Sequence, residues 1–457
     1  MLRRPLALAL SLVLLPASAF AQDLVQTYEL ARAGDPQLSI AESQRDISRE
    51  GAVQARAQLL PQIGGSVDLS RRYVAGTDGD QRSRSIGASL NQTVFDLGQI
   101  SNLRAQRQLD TAAGFDLQAA NQNLITRTSA AYFNVLVAIE TLAAAEAAEE
   151  ALQKQFDFAS RRLEVGLAPI TDVHEARAQY DAARAQVILS RNSLEDAYQA
   201  LAEITGTPVR NLRALPEDFQ PEVPAGGDAE SWVNAAIAQN PSLRAAEYAV
   251  RAAEIGVTGA RSGHLPRLSL GAGYNNQAYW GELAGVSDPE NPTGARRNEG
   301  HSVGLTLTVP IFNGGATQSG VREAIARRDI AEDQLTQTRR ALERNARNAY
   351  QTVVAGVAEV EARRLAVLSA RSAYDASQVG LEVGTRTVVD VLINQQNLFS
   401  ARQQYAFAKY NFLQSRLLLE QAAGTLDIGN LQDINRQLTV DVASMGAGTG
   451  EANPPPQ

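Results

Sequence analysis

One half of this chain repeats the layout of the other. Leu163-Glu164-Val165-Gly166 returns as Leu381-Glu382-Val383-Gly384, and each is followed six residues later by an aspartate, Asp172 and Asp390. Ala131-Tyr132 matches Ala349-Tyr350, and Gly206 matches Gly424, at the same offset of 218 residues (350 − 132). Asp35-Pro36 matches Asn240-Pro241, and Leu60-Pro61 matches Leu265-Pro266, at 205 (266 − 61). Phe95-Asp96 matches Phe312-Asn313 at 217 (312 − 95), so the second copy carries an insertion of 12 (217 − 205) between Pro61 and Phe95. A period of half a chain is a duplicated structural unit, unlike the short periods of solenoids.

Each copy reads as helix, hairpin, long helix, turn, helix. The first repeat spans 22–206 with its hairpin at 63–95, and the second spans 232–424 with its hairpin at 267–312. A proline- and glycine-bearing linker, 207–231, joins them, and a tail, 425–457, loses helical pattern and reads as partly disordered. Gln99 to Leu163 contains no proline and Gly114 as its only glycine, so at 1.5 Å per residue the helix reaches roughly 100 Å. Thr317 to Val383 is its proline-free twin.

The hairpin segments alternate with period two. Ile63, Gly65, Val67, Leu69 and Tyr73 oppose Gly64, Ser66, Asp68 and Ser70, and Val303, Leu305, Leu307 and Val309 oppose Ser302, Gly304, Thr306 and Thr308. A half-buried antiparallel sheet shares that alternation. Glycine and serine on the polar face, with Tyr73, Tyr274, Tyr279 and Trp280 near strand ends, fit better a barrel with lipid outside and water inside. A barrel must close, and the smallest have about eight strands. Four strands per chain therefore demand partners: two chains would give eight strands and a lumen filled by side chains, whereas three, the expected number, give a 12-stranded barrel with room for a channel.

Arg3 and Arg4, the apolar run Leu6 to Leu15, and Ala19-Phe20-Ala21 read as a signal peptide over 1–21. No later segment reads as apolar enough to span a membrane as a helix, so membrane residence falls to the strands. The sequence has no cysteine, which excludes disulfides, thiolate chemistry and an N-terminal cysteine lipid anchor. Without Arg3 and Arg4 there are 40 basic residues (42 − 2) against 50 acidic, a net −10, and no basic face for nucleic acid. Histidines 174, 264 and 301 lack ligand spacing, and Asn313-Gly314-Gly315 lacks the Gly-Lys-Ser/Thr ending of a phosphate loop. No enzyme, cofactor or metal site is expected.

The two helix-to-helix turns carry the candidate sites. Gly166 and Gly384 suit left-handed helix ends, and Pro169 and Thr387 suit helix starts. Asp172 and Asp390 fall in a first helical turn, where the dipole favours an acid. Two readings stand side by side: helix capping, or rings of carboxylate at a pore mouth latched by Arg386.

Val165-Gly166-Leu167-Ala-Pro-Ile-Thr171-Asp172-Val and Val383-Gly384-Thr385-Arg386-Thr-Val-Val-Asp390-Val closely resemble the TolC family of outer-membrane efflux proteins, and the similarity covers nearly all of the chain after 1–21. The resemblance implies an α+β membrane protein: a homotrimer whose 12-stranded transmembrane β-barrel continues as a long periplasmic α-helical barrel. It implies docking to a periplasmic adaptor (a membrane fusion protein) and an inner-membrane pump, as the exit duct for drug efflux or type I secretion. The rival reading is a non-conducting coiled coil that tethers envelope layers. The family's periplasmic gate maps onto Thr171, Asp172, Leu381, Arg386, Asp390, Ile393 and Lys409, with Leu381 in place of a tyrosine, Ile393 of an acid and Lys409 of an arginine. Its adaptor-docking turns map onto Val165, Gly166, Leu167, Val383, Gly384 and Thr385.

With the long helices in the periplasm, the longer hairpin loop, Gly281 to Arg297, faces outside the cell. A peptide tag inserted beside Asn291 is expected to bind antibody on intact cells; labelling only after outer-membrane permeabilisation reverses the topology.

Overall fold

The computed structural model describes residues 22–73, 80–167, 169–216, 218–224, 227–280 and 296–442. The signal segment 1–21, the tag site at Asn291 and the tail 443–457 lie outside the described residues.

The first repeat runs α1 (Leu24–Gly34), α2 (Pro36–Ala57), β1 (Gln62–Tyr73), β2 (Asp80–Phe95), α3 (Leu97–Glu164) and α4 (Ile170–Thr205). A two-residue strand, β3 (Arg213–Ala214), lies in the connection. The second repeat runs α5 (Ala229–Gln239), α6 (Pro241–Arg261), β4 (Arg267–Trp280), β5 (Arg296–Thr308), α7 (Ala316–Glu382) and α8 (Val388–Ala423). α9 (Ile428–Asn435) and β6 (Val440–Asp441) follow. Each long helix is flanked by two shorter ones set end to end. The 22 residues of α2 and the 36 of α4 pack along the 68 of α3, and α6 and α8 pack along α7. α3 also packs on α8, which leaves α4 and α7 on the flanks of the lower bundle.

The structure departs from the sequence reading in four places. The helix that opens at Pro36, as expected, is preceded by a further one, α1, as α6 is by α5; Asp35 and Asn240 are extended and start new helices with proline at the first position. Asp35 accepts the Leu38 amide at 2.9 Å, and Asn240 accepts those of Ser242 and Leu243 at 3.0 and 3.3 Å. The tail is folded as far as residue 442: Asp427 and Asn430 cap α9 reciprocally, Leu431 and Ile434 are buried, and β6 pairs with β3 of the linker. β5 ends at Thr308, short of the expected 312. α3 also holds one stretch apolar enough by length and composition to cross a membrane, with mean hydropathy 1.3. Its apolar residues Leu124, Ile125, Tyr132, Phe133, Val135 and Leu136 belong to a protein core.

That core is a belt at mid-length, where α1 and α9, the linker and α8 close around α3. Tyr132 is fully buried there, and its hydroxyl accepts from the Arg213 amide at 2.8 Å and donates to the Arg213 carbonyl at 2.9 Å, fixing β3. Burial leaves the phenol far above its ordinary pKa, against the Arg213 backbone bond, which lowers it, and with a smaller upward push from the Asp23 charge. Its repeat twin, Tyr350, is only half-buried, so the duplication is broken at this belt.

The four long strands form one antiparallel sheet in the order β1-β2-β4-β5, and β1 and β5 are its edges. One face is apolar and open: Ile63, Val67, Leu69, Val303 and Leu305 are 63–78% exposed. The other forms a hollow of about 450 Å³ lined by Ser66, Ser85, Ser89, Asn275 and Ser302. In lipid the apolar face is the favourable one to expose, and the hollow face is the lumen. Val303→Arg is therefore expected to destabilise the barrel by about 2–4 kcal/mol, and Ser302→Arg by far less. Heat-modifiability of the purified protein on gels measures both; equal losses would mean that neither face meets lipid.

Candidate functional site

Both helical hairpins end in the same device. Gly166 closes α3 at φ 75°, its amide donating to the Leu163 carbonyl at 2.9 Å and that of Leu167 to Arg162 at 2.7 Å. Gly384 closes α7 at φ 77°, its amide donating to Leu381 at 3.2 Å and that of Thr385 to Gly380 at 2.8 Å. This double bond pattern satisfies the last helix carbonyls and needs a left-handed residue, which glycine adopts without a Cβ penalty. Around the glycines Val165, Leu167, Ile170 and Val383 project into solvent, each more than half exposed. Thr385 is exposed beside them.

The returning helices start differently. Thr387 caps α8: its Oγ1 accepts the Asp390 amide at 3.3 Å, while the Asp390 carboxylate accepts the Thr387 amide and hydroxyl, both at 2.9 Å. The bonds from the Thr387 amide and then its hydroxyl hold the Asp390 carboxyl below its ordinary pKa, with a smaller push from the Arg386 charge. At α4 the N-cap is Pro169, which has no side chain to cap with. Asp172 is half-buried in the first turn, and its carboxylate has no hydrogen bond or ion pair among the described residues. Arg386 lays its stem over Gly380, where an added Cβ would meet its Cγ at 2.6 Å. Its guanidinium likewise has no ion pair among the described residues, so Asp172 and Arg386 do not pair within one chain. Thr171 and Ile393 are exposed and Leu381 is half-buried.

Lys409 stands apart from these residues. It lies 22 residues beyond Thr387 (409 − 387) along α8, roughly 33 Å up the helix. It is buried, and its Nζ is 3.1 Å from Glu140 Oε1 on α3, which also accepts the Tyr410 hydroxyl at 2.8 Å. Burial first, then the Glu140 charge, drives the Tyr410 pKa far upward. Lys409 thus ties α8 to α3 near the belt, and Glu140 and Tyr410 are the partners the sequence reading missed. A lone glutamate inside the apolar stretch of α3 was their only signal. Among the described residues no group of three or more acidic, histidine or cysteine side chains is placed to hold a metal.

A family model described as outer membrane efflux protein matches residues 27–207 and 232–425, one segment in each repeat. The outer membrane protein TolC of Escherichia coli is 34% identical over 449 residues, covering 96% of this chain and 90% of that protein. The alkaline protease secretion protein AprF of Pseudomonas aeruginosa is 30% identical over 433 residues, covering 92% and 88%. Among solved structures, the Campylobacter jejuni CmeC outer membrane channel is similar with a TM-score of 0.76 at 19% identity, covering 92% of this chain and 90% of that one. The Vibrio cholerae outer membrane protein VceC gives 0.72 at 19% identity, covering 88% and 96%. At such identities the structural matches establish the fold.

Removing one member of a buried ion pair leaves an uncompensated charge, which costs about 3–5 kcal/mol. Glu140→Gln is expected to lower stability by that amount, because Lys409 stays buried. Glu140→Gln with Lys409→Met is expected to recover most of it, read as the shift of the helical circular-dichroism transition on heating.

Proposed function

This chain belongs to the outer membrane efflux protein family, and on that premise we propose that three copies close its four-stranded sheets into a 12-stranded barrel above a common helical tunnel. The protein is an outer-membrane channel, the exit duct of an efflux pump or a type I secretion system. The observation that carries the trimer is the sheet itself. Both edge strands lack an outer partner among the described residues, and the hollow face carries serine, glycine and asparagine. A non-conducting tether would have no use for a polar hollow in a lipid-embedded sheet.

The tips at Gly166 and Gly384 are the proposed docking points for a periplasmic adaptor, which links the tunnel to an inner-membrane pump. Their support is geometric: two rigid turns of the same design, each presenting exposed valine at the far end of a helix hairpin. The gate is proposed to lie at the same end. Asp172 begins α4 on one flank of the chain, and Arg386 lies in the turn between α7 and α8 on the other. Neither charge has an ion pair among the described residues, and threefold assembly sets these flanks against each other. Asp390, already held by Thr387, keeps its charge and contributes a carboxylate ring at the constriction rather than a latch bond.

A partly exposed ion pair contributes about 0.2–1 kcal/mol, so three copies supply roughly 0.6–3 kcal/mol of closure. That shifts an open–closed equilibrium by about threefold to a hundredfold. Arg386→Ala is expected to raise single-channel conductance of the trimer in planar bilayers and to sensitise cells to large antibiotics. Asp390→Ala is expected to weaken cation preference instead. Unchanged conductance in Arg386→Ala would move closure to apolar packing around Leu381 and Ile393, and the absence of any conductance in the native protein would favour the tether.

A further inference from the structure

The two repeats pack against each other inside one chain, and that internal seam is a template for the seam between copies. An offset of 205 (266 − 61) converts α2 and β1 into α6 and β4, and one of 217 (312 − 95) converts β2 into β5. The hairpins obey this conversion: Gln62 pairs with Asn91, and their twins Arg267 and Thr308 pair with each other. Between the repeats, β2 pairs with β4, with Ala88 opposite Tyr274, Ser89 opposite Gly273 and Asn91 opposite Gly271. The twins of those two strands are β5 and β1, the edges of the sheet.

The outer flanks are left open where their twins are covered. β2 runs to Phe95, which is held opposite Leu268. Its twin β5 stops at Thr308, and Ile311 and Phe312 beyond it are almost fully exposed. α3 is packed by α2, α4, α6 and α8, whereas its twin α7 packs along α6 and α8 with no comparable packing against α2 or α4. Ile40 and Ile47 on α2 are exposed, although their twins Ala245 (245 − 40 = 205) and Ala252 are buried. Ile188 on α4 and Val354 on α7 are exposed, although their twins Ala406 (406 − 188 = 218) and Leu136 are buried.

We infer that neighbouring copies join in the register of the internal seam, with β5 antiparallel to the partner's β1 and α7 against the partner's α4. Adding 217 to each β2 residue and subtracting 205 from each β4 residue sets Leu305 opposite the partner's Leu69. It likewise sets Thr306 opposite the partner's Asp68, and Thr308 opposite the partner's Ser66. Apolar residues meet on the lipid face and polar ones on the lumen face, which a slip of one residue would undo. Along the helices the contact changes character. Inside the chain the Gln414 amide donates to the Thr126 carbonyl at 3.1 Å, and the Gln122 amide donates to the Gly424 carbonyl at 3.1 Å. The twins of Gln414 and Thr126 are Asp196 and Arg344, and those of Gln122 and Gly424 are Arg340 and Gly206, all at 218 (424 − 206). Asp196, Arg340 and Arg344 are exposed and have no hydrogen bond or ion pair among the described residues. The register sets Arg344 beside the partner's Asp196, and Arg340 at the C-terminal end of the partner's α4, where a cation suits the last carbonyls. A neutral contact inside the chain is thus a charged one between chains, which favours the correct docking of copies.

The inference rests on the barrel reading and adds to it which residues meet. The chain has no cysteine, so engineered pairs report on the seam alone. Leu305→Cys with Leu69→Cys and Thr306→Cys with Asp68→Cys occupy adjacent rows, one of which is the closer, non-hydrogen-bonded kind. At least one of these pairs is expected to give disulfide-linked dimers and trimers on non-reducing gels. Its rate is expected to exceed by at least about tenfold that of Thr306→Cys with Ser66→Cys or Ser70→Cys, diagonal positions about 7–8 Å apart and out of disulfide reach. Faster linkage at either diagonal pair would overturn the strand register. Asp196→Arg and Arg344→Asp are each expected to raise the concentration at which the trimer dissociates by at least about threefold, and the double swap to return it to within about twofold of native. A swap no better than the single changes would overturn the helix register. Light scattering of the native protein separates the two readings: if it is monomeric, the barrel reading fails first, and if it is trimeric yet no strand pair links, only this inference fails.

Discussion

A strand in lipid cannot leave its edge unpaired, and this chain has two such edges. β1 and β5 each bond a neighbour on one side only, so every outward amide and carbonyl of those strands must be met by another copy. Much else follows from that constraint. The barrel fixes a threefold axis, and on the proposed gate that axis sets the flank of α4, with Asp172, against the flank of α7, with Arg386. The same closure separates a serine-lined hollow from an apolar exterior. Without it the exposed leucines, isoleucines and valines of the sheet would be an aggregation surface rather than a membrane one.

Between barrel and tips the structure is held by one core. The long helices have alanine-rich, weakly amphipathic surfaces over most of their length, so little stability comes from any single turn. At the belt, by contrast, Tyr132, Leu136, Leu413, Leu417 and Leu431 are all almost fully buried. The ion pair of Lys409 with Glu140 and the Arg127–Asp35 pair at 2.7 Å sit around this region. Close backbone contacts lock it further: a Cβ on Gly424 would fall 2.6 Å from Asn240 Cα, and Gly424 is left-handed at φ 78°. A firm middle with looser ends suits the proposed gate, in which the tips open while the barrel stays closed.

The tips divide two aspartates that occupy equivalent places in the repeats. Asp390 is held by Thr387 and needs no further partner to account for its position. Asp172 follows a proline cap that offers it nothing, and its carboxylate has no bond among the described residues. Duplicated positions have thus separated in their local bonding: one is tied into its own helix cap, and the other is the residue proposed to act between chains.

The repeat, the four strands, the very long helices and the left-handed turns were legible in the sequence because each is a local matter. Period-two alternation, the absence of proline and a glycine at a helix end act through neighbouring residues only. The landmarks Val165-Gly166 and Val383-Gly384 carried the family likeness for the same reason. Short elements were not legible: α1, α9 and the β3–β6 pair are too brief to show a period, and exist because the belt buries Leu24, Leu212 and Leu431. Nor could sequence place Lys409, which matched a gate position yet lies far up α8, because its partner Glu140 is 269 residues away. Register decided the rest. Only the pairing of β1, β2, β4 and β5 shows that apolar residues scattered between residues 63 and 307 share one face, since a slip of a single residue would send them to the lumen.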